Sequence, residues 1–346
     1  LDNGSPSGTF RMIFNGTNAL TINGVSKIHV PTLVIENAGQ RSITMQGNIS
    51  ADALEGSDMT ITAKNSPTLS FATTNGDIGV TGSLALAVTT KAGGDITVDG
   101  ELYSNKIAMG ANTLTINGNL HMDSNNALAT GPSGKLIVNG DVWMRRGVLT
   151  LPGLTEISGS LFQAGGDVKP NKGQVSIRGD YRIQVWDDSS GEVEWKQSSG
   201  KLYMTDENDS IVVWGDFYTQ SNQSHSSLLT AGCLAVHGDF YQLSGNEYNF
   251  AARGTHKVFL CGEAHQSARF ASGSSMFNIL QLNKQKEDYT FNPDPCWKTL
   301  EEGVGTPEVP TSGSCGKNLT WSFDRESGTL TISGEGEMDE YEFHHK

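Results

Sequence analysis

One phrase recurs along this chain: alternating apolar residues, a glycine, a small polar or acidic residue, then another apolar residue. It reads Leu114-Thr115-Ile116-Asn117-Gly118-Asn119-Leu120 and Leu136-Ile137-Val138-Asn139-Gly140-Asp141-Val142. It returns as Val175-Ser176-Ile177-Arg178-Gly179-Asp180-Tyr181, Ile211-Val212-Val213-Trp214-Gly215-Asp216-Phe217 and Leu234-Ala235-Val236-His237-Gly238-Asp239-Phe240, with fainter copies ending at Gly24, Gly47, Gly82, Gly100, Gly159 and Gly262. A short unit repeated through most of a chain is one coil of a solenoid, because no single unit can bury its own apolar face.

The glycine spacings set the coil length. Gly82, Gly100 and Gly118 are 18 residues apart; the next intervals are 22 to Gly140, 19 to Gly159 and 20 to Gly179. Then come 36 to Gly215, 23 to Gly238 and 24 to Gly262. The 36-residue interval reads as two coils with a degenerate one near Leu202, Tyr203 and Met204. The 35 residues from Gly47 to Gly82 read likewise, with Met59-Thr60-Ile61-Thr62 in the middle. Coils of 18–24 residues predict an all-β fold, a right-handed parallel β-helix. Alternation turns Leu136 and Val138 inward and Ile137 and Asn139 outward. Glycine then relieves the corner, and the following Asp or Asn is expected to bond its own backbone in that turn. A helical pattern is weak, with one candidate at Asn278-Ile279-Leu280-Gln281-Leu282.

The phrase stops at Asn283. The expected organisation is a β-helix over residues 1–283, a cap and linker over 284–312 containing Asn292-Pro293-Asp294-Pro295, and the start of a second, truncated β-rich module over 313–346. Leu1 in place of an initiator methionine reads as a processed or excised piece.

Composition removes several functions. The 24 Lys and Arg against 38 Asp and Glu leave a net charge of −14, which argues against nucleic acid and against charge-driven adhesion to an anionic membrane. No run approaches the roughly 20 apolar residues of a span, so no membrane insertion by this segment is expected. Four cysteines are too few for a disulfide scaffold. Aligning Gly238 with Gly262 sets Cys233 opposite Lys257 and Cys261 opposite His237, roughly 13 Å apart along the strand and too far to bridge. Cys296 and Cys315 flank the linker, and both a bridge and free thiols stay open.

The residues with chemistry fall in a few places. Asp187, Asp188 and Glu192, with Glu194 and Trp195 and near Arg178 and Arg182, are the best carboxylate cluster. They form either the acid/base pair of a pectin-lyase-like carbohydrate-active enzyme (lyase or glycoside hydrolase), a Ca²⁺ site, or an ordinary solvated turn. Apart from that possible Ca²⁺, no cofactor or metal is indicated. The run Asp206-Glu207-Asn208-Asp209 reads as a solvated loop. Trp195, Trp214, Tyr218 and Tyr241 are candidate ligand-binding residues for stacking a sugar or meeting a partner protein, the alternative being that they pack under loops. Trp214 and His237 occupy equivalent positions and are expected side by side.

Two resemblances add to this reading. Gly313-Ser314-Cys315-Gly316-Lys317-Asn318-Leu319-Thr320-Trp321-Ser322-Phe323-Asp324 with Gly328-Thr329-Leu330-Thr331-Ile332-Ser333-Gly334-Glu335-Gly336-Glu337-Met338 resembles the leader that precedes BspA-like leucine-rich repeats in large surface proteins of gut Firmicutes. The Gly-Asp-Phe coils, with Phe250-Ala251-Ala252-Arg253-Gly254-Thr255-His256-Lys257-Val258, are similar to β-solenoid segments of secreted adhesin-like proteins of the same bacteria. Together they imply a secreted or cell-surface multi-module protein. This chain would be a non-catalytic, adhesin-like or stalk-like module presenting a long face to a glycan or a host or partner protein. The alternatives are the enzyme above and a pure structural spacer.

Overall fold

The computed structural model describes residues 10–23, 28–56, 58–123, 125, 127–187, 189, 193–301, 312–316, 319–324 and 329–336. The chain divides into two compact units, Leu1–Gly303 and Val304–Lys346. The first is a parallel β-solenoid of about 13 turns. One wall is a 14-stranded sheet running from Leu20–Ile22 to Trp297–Glu301, each strand pairing in parallel with its counterpart one coil on. The other walls belong to a 19-stranded sheet. Among the described residues, the helical elements are two 3₁₀ turns, Ala38–Gln40 and Lys286–Asp288. The second unit is three antiparallel strands, Ser312–Gly316, Leu319–Asp324 and Thr329–Gly334.

Identical positions stack, as a solenoid requires. On the 14-stranded wall the register runs Leu114, Leu136, Thr155, Val175, Ile211, Leu234, Val258, Leu280. Two residues along runs a second inward row: Ile116, Val138, Ile157, Ile177, Val213, Val236, Leu260, Leu282. All of these are buried, so each coil closes the core of its neighbours. Toward the C-terminus the interior widens and is filled by rings. Phe217 stacks on Phe240 at 5.1 Å, and Phe250, Phe270 and Phe277 meet Phe240 at 4.7–5.3 Å. Phe217, Phe240 and Phe250, corner aromatics in sequence, are therefore core residues.

Three sequence expectations change. Gln174–Ile177 pairs directly with Ser210–Val213, so the 36 residues from Gly179 to Gly215 are one coil, not two. The surplus is a β-hairpin in which Tyr181–Asp187 pairs antiparallel with Glu194–Gln197. The candidate helix at Asn278–Leu282 is instead part of the strand Phe277–Leu282, held between Lys257–Leu260 and Trp297–Glu301; parallel neighbours on both sides override a weak local pattern. Parallel pairing also carries past Asn283, through Tyr289–Asn292 and Trp297–Glu301, where the prolines interrupt the phrase without ending the coil.

The Gly-Asp corner works between coils rather than within a turn. The Asp216 N–H donates to Asp180 Oδ1 at 2.9 Å, the Asp239 N–H to Asp216 Oδ1 at 2.7 Å, and the Ser267 N–H to Asp239 Oδ1 at 2.7 Å. Upstream, Ser160 donates its N–H to Asp141 Oδ1 at 2.7 Å and Asp141 to Asn119 Oδ1 at 2.8 Å. The glycines stack beside this row: the N–H groups of Gly215 and Gly238 donate to the carbonyls of Gly179 and Gly215 at 3.0 and 2.9 Å. A Cβ on Gly215 would collide with Asp180 Oδ1 and with the Gly179 backbone. Gly215 has no positive φ. Close approach, not left-handed geometry, demands glycine here, and it is the aspartate of the preceding coil that fills the space.

Candidate functional site

Three residues after each corner glycine from Gly100 to Gly238 the side chain points outward, and these positions form one row by register, continued by Arg269: Tyr103, His121, Trp143, Phe162, Arg182, Tyr218, Tyr241, Arg269. Neighbouring coils lie about 4.8 Å apart, which is the stacking distance of aromatic rings. Tyr103 stacks on His121 at 4.5 Å and Tyr218 on Tyr241 at 4.7 Å, and Trp143 meets Phe162 tilted by 32° at 4.3 Å. The Arg182 guanidinium lies 3.7 Å from the centre of the Tyr218 ring. The hairpin leans on the same row: Trp195 stacks on Phe162 at 5.5 Å and lies 4.7 Å from Arg182, while Trp186 meets Trp143 edge-on at 4.8 Å and carries Arg145 at 4.5 Å.

The corner carboxylates orient this row with their second oxygen. Asp216 Oδ2 accepts from the Tyr218 hydroxyl at 2.8 Å, Asp239 Oδ2 from Tyr241 at 2.7 Å, and Asp180 Oδ2 from the Arg182 guanidinium at 2.8 Å. Burial, together with the neighbouring carboxylate, pushes the Tyr241 phenol up to about 12 and raises that of Tyr218 further. These phenols stay neutral and donate. One aspartate thus ties its own coil's outward ring and the next coil's backbone.

Each candidate ligand-binding ring is accounted for. Trp214 lies between Arg178, 4.8 Å from its ring centre in the coil before, and His237, stacked at 4.1 Å in the coil after; its Nε1–H donates to Ser176 Oγ at 3.3 Å. Tyr218 has Arg182 on one face and Tyr241 on the other. Trp195 touches Phe162 and Arg182. Tyr241 covers its inner face with Tyr218. Trp214 and Tyr218 therefore have a neighbour in the coil on each side, with Trp214 still 44% exposed, while the register neighbour on the far side of Tyr241 is Arg269.

Asp187 stands at the far end of the hairpin strand. Its carboxylate accepts from Lys196 and from the Ser189 N–H, and these hydrogen bonds hold it well below the usual carboxylate range. Such a group stays ionised at neutral pH and has no proton to give. Asp188 and Glu192 lie outside the described residues. Among the described residues no three His, Cys, Asp or Glu side chains are placed to hold a metal ion, and Ca²⁺ remains without an assigned site.

Several buried polar groups carried no readable signal in the sequence. Asp209, at the end of the acidic run, is buried and accepts the backbone N–H groups of Lys172 at 2.6 Å, Thr205 at 2.7 Å and Asp206 at 3.0 Å. It fastens one coil's turn to the next. His225 is fully buried between the carbonyls of Asn249 and Gly200, from coils on either side. His256 is fully buried beside Phe250 with neither ring nitrogen bonded. Burial lowers His225 to about 4 and His256 to about 3. Cys233, Cys261 and Cys296 are free thiols, with burial pushing them up to about 11, 12 and 12; these are inert toward exchange. The side chain of Cys315 lies outside the described residues. No protein-family model, curated protein or solved structure matches this chain.

Proposed function

We propose that this chain is a non-catalytic, stalk-like module of a secreted or cell-surface bacterial protein, a rigid rod that sets distance between other modules and a partner. The observation that carries this reading is the corner column, in which each aspartate bonds both its own coil's outward side chain and the backbone of the next coil, and corner glycine bonds corner glycine, through successive turns. Such side chains resist bending and leave little free chemistry on that face. At about 4.8 Å per coil the solenoid reaches on the order of 60 Å. The extracellular placement rests on the leader and solenoid resemblances.

The enzyme alternative finds less support, because both oxygens of Asp187 are engaged, one by Lys196 and one by the Ser189 N–H. Force spectroscopy on the full chain tests the stalk: stepwise rupture coil by coil at forces high for a domain of this size is expected. Extension at low force contradicts it. So does cleavage of any polysaccharide in a host and plant panel that disappears in Asp187→Asn.

A further inference from the structure

The outward row starts abruptly. Tyr103 is its first ring and is 38% exposed. His121 covers its C-terminal face, while its register partner on the N-terminal side is Ala85, followed by Thr68. One methyl group cannot cover a phenol ring. In every later coil down to Tyr241 this space holds the ring or guanidinium of a neighbour, so one rung of the stack is missing, with a gap about 4.8 Å per coil deep.

We propose that this vacant rung is a stacking subsite for a single neutral pyranose of a glycan. The ring that would receive it is already fixed: the Tyr103 hydroxyl donates to Glu101 Oε2 at 3.1 Å, and His121 backs it. The floor is apolar (Ala85), and the rim is polar. Thr68 is the register neighbour of Ala85, Ser83 lies two residues before Ala85 with its Oγ accepting from the Glu101 N–H at 3.1 Å, and the Glu101 side chain is 41% exposed. A sugar has the matching form, with axial C–H bonds for the phenol face and hydroxyls at its edge for the rim. The Glu101 carboxylate and the acidic chain argue for a neutral sugar over a uronic acid. This site stands apart from the stalk reading, since a rod with no ligand and a rod with one sugar rung have the same core.

Saturation-transfer NMR on the full chain tests it, with the methyl glycosides of glucose, galactose, mannose and N-acetylglucosamine as probes. Single-ring stacking predicts weak binding, on the order of millimolar. Transfer is expected to the axial C–H protons of at least one probe, and in ¹³C-tyrosine-labelled protein the Tyr103 ring signal should move while Tyr218 and Tyr241 stay. Ala85→Phe supplies the missing rung from the protein itself and should abolish transfer by at least about tenfold, as should Tyr103→Ala. Tyr218→Ala should leave it intact. The proposal is overturned if no probe shows transfer, if all or none of the tyrosine rings shift, or if transfer survives in Ala85→Phe.

Discussion

The coils before Gly100 and those after it share a fold but differ in how continuously the corner is bonded. In the early coils a few inward residues leak slightly to solvent: Leu20 is 9% exposed and Ile78 6%, although Met45, Leu84 and Val98 are as fully buried as Leu114, Leu136, Ile211 and Leu234. The early walls also slip register between Phe71 and Thr73, as does the strand Leu102–Gly110 just past the boundary, between Ser104 and Lys106 and between Ala108 and Gly110, and a small apolar void lies among Leu54, Ile61, Phe71 and Leu86. In the early coils the corner bond is made by Asn48 Oδ1 to the Thr68 N–H and by Ser83 Oγ to the Glu101 N–H, whereas from Asn119 onward one side-chain oxygen in every coil reaches the backbone of the next without a break. The contrast indicates that stacked aliphatics wind the solenoid even where corner bonds are interrupted, while an unbroken series of them accompanies an unbroken register.

Glycine substitutions should break this comparison most sharply. Gly215→Ala forces a Cβ into Asp180 Oδ1 and the Gly179 backbone, and is expected to cost about 3 kcal/mol or more through displaced backbone and lost corner bonds. Gly79→Ala meets its nearest atoms at an ordinary 3.8 Å, and should be neutral or slightly stabilising, as replacing glycine inside a strand generally is. Urea titration of both variants gives the ordering. Equal costs would remove the distinction between a corner glycine and a strand glycine.

Acid should strike the late coils next. His225 and His256 titrate lower in the folded chain than the ordinary 6.5, because burial penalises the imidazolium. The unfolded chain therefore binds protons first, so their contribution is complete above about pH 6.5 and falls away as pH drops toward 4 and 3. By pH 4.5 the loss is on the order of 2 kcal/mol for each histidine. Melting across this range, compared with His256→Leu, checks it: the variant should lose less stability on acidification. An identical pH slope would show that the buried ring is not protonated on unfolding.

Smaller effects grade the corner. Asp216→Ala should cost about 2 kcal/mol by orphaning the Asp239 N–H and the Tyr218 hydroxyl. Tyr218→Ala should cost about 1 kcal/mol through lost stacking with Tyr241 and Arg182. Chemical denaturation of the two single variants and the double variant measures both. Because both touch Asp216, the double variant should cost less than the sum.

Much of this was legible in residue order. Aligning glycines placed Cys233 against Lys257 and Trp214 beside His237, as found, because a parallel solenoid turns a repeat directly into register. The hairpin was not legible. Its 36-residue interval has the length of two coils, and only the pairing of Val175 with Ile211 shows it to be one. The corner aspartate was visible as a recurring residue, yet its partner was not, since a bond to the next coil and a bond within the turn leave the same sequence trace. The outward row was half visible: the aromatics stood out singly, but that their faces cover one another depends on inter-coil distance. Buried His256 and Asp209 looked like ordinary surface polar residues, because nothing local to either distinguishes burial.

The most direct test follows a single amide. Site-resolved hydrogen exchange at the Asp239 N–H, in the native chain and in Asp216→Ala, reads the inter-coil bond without relying on global stability. The expected result is strong protection in the native chain and a selective loss at Asp239 in the variant, with the Gly238 amide still held by the Gly215 carbonyl. Unchanged protection at Asp239 would mean that the carboxylate does not join the coils.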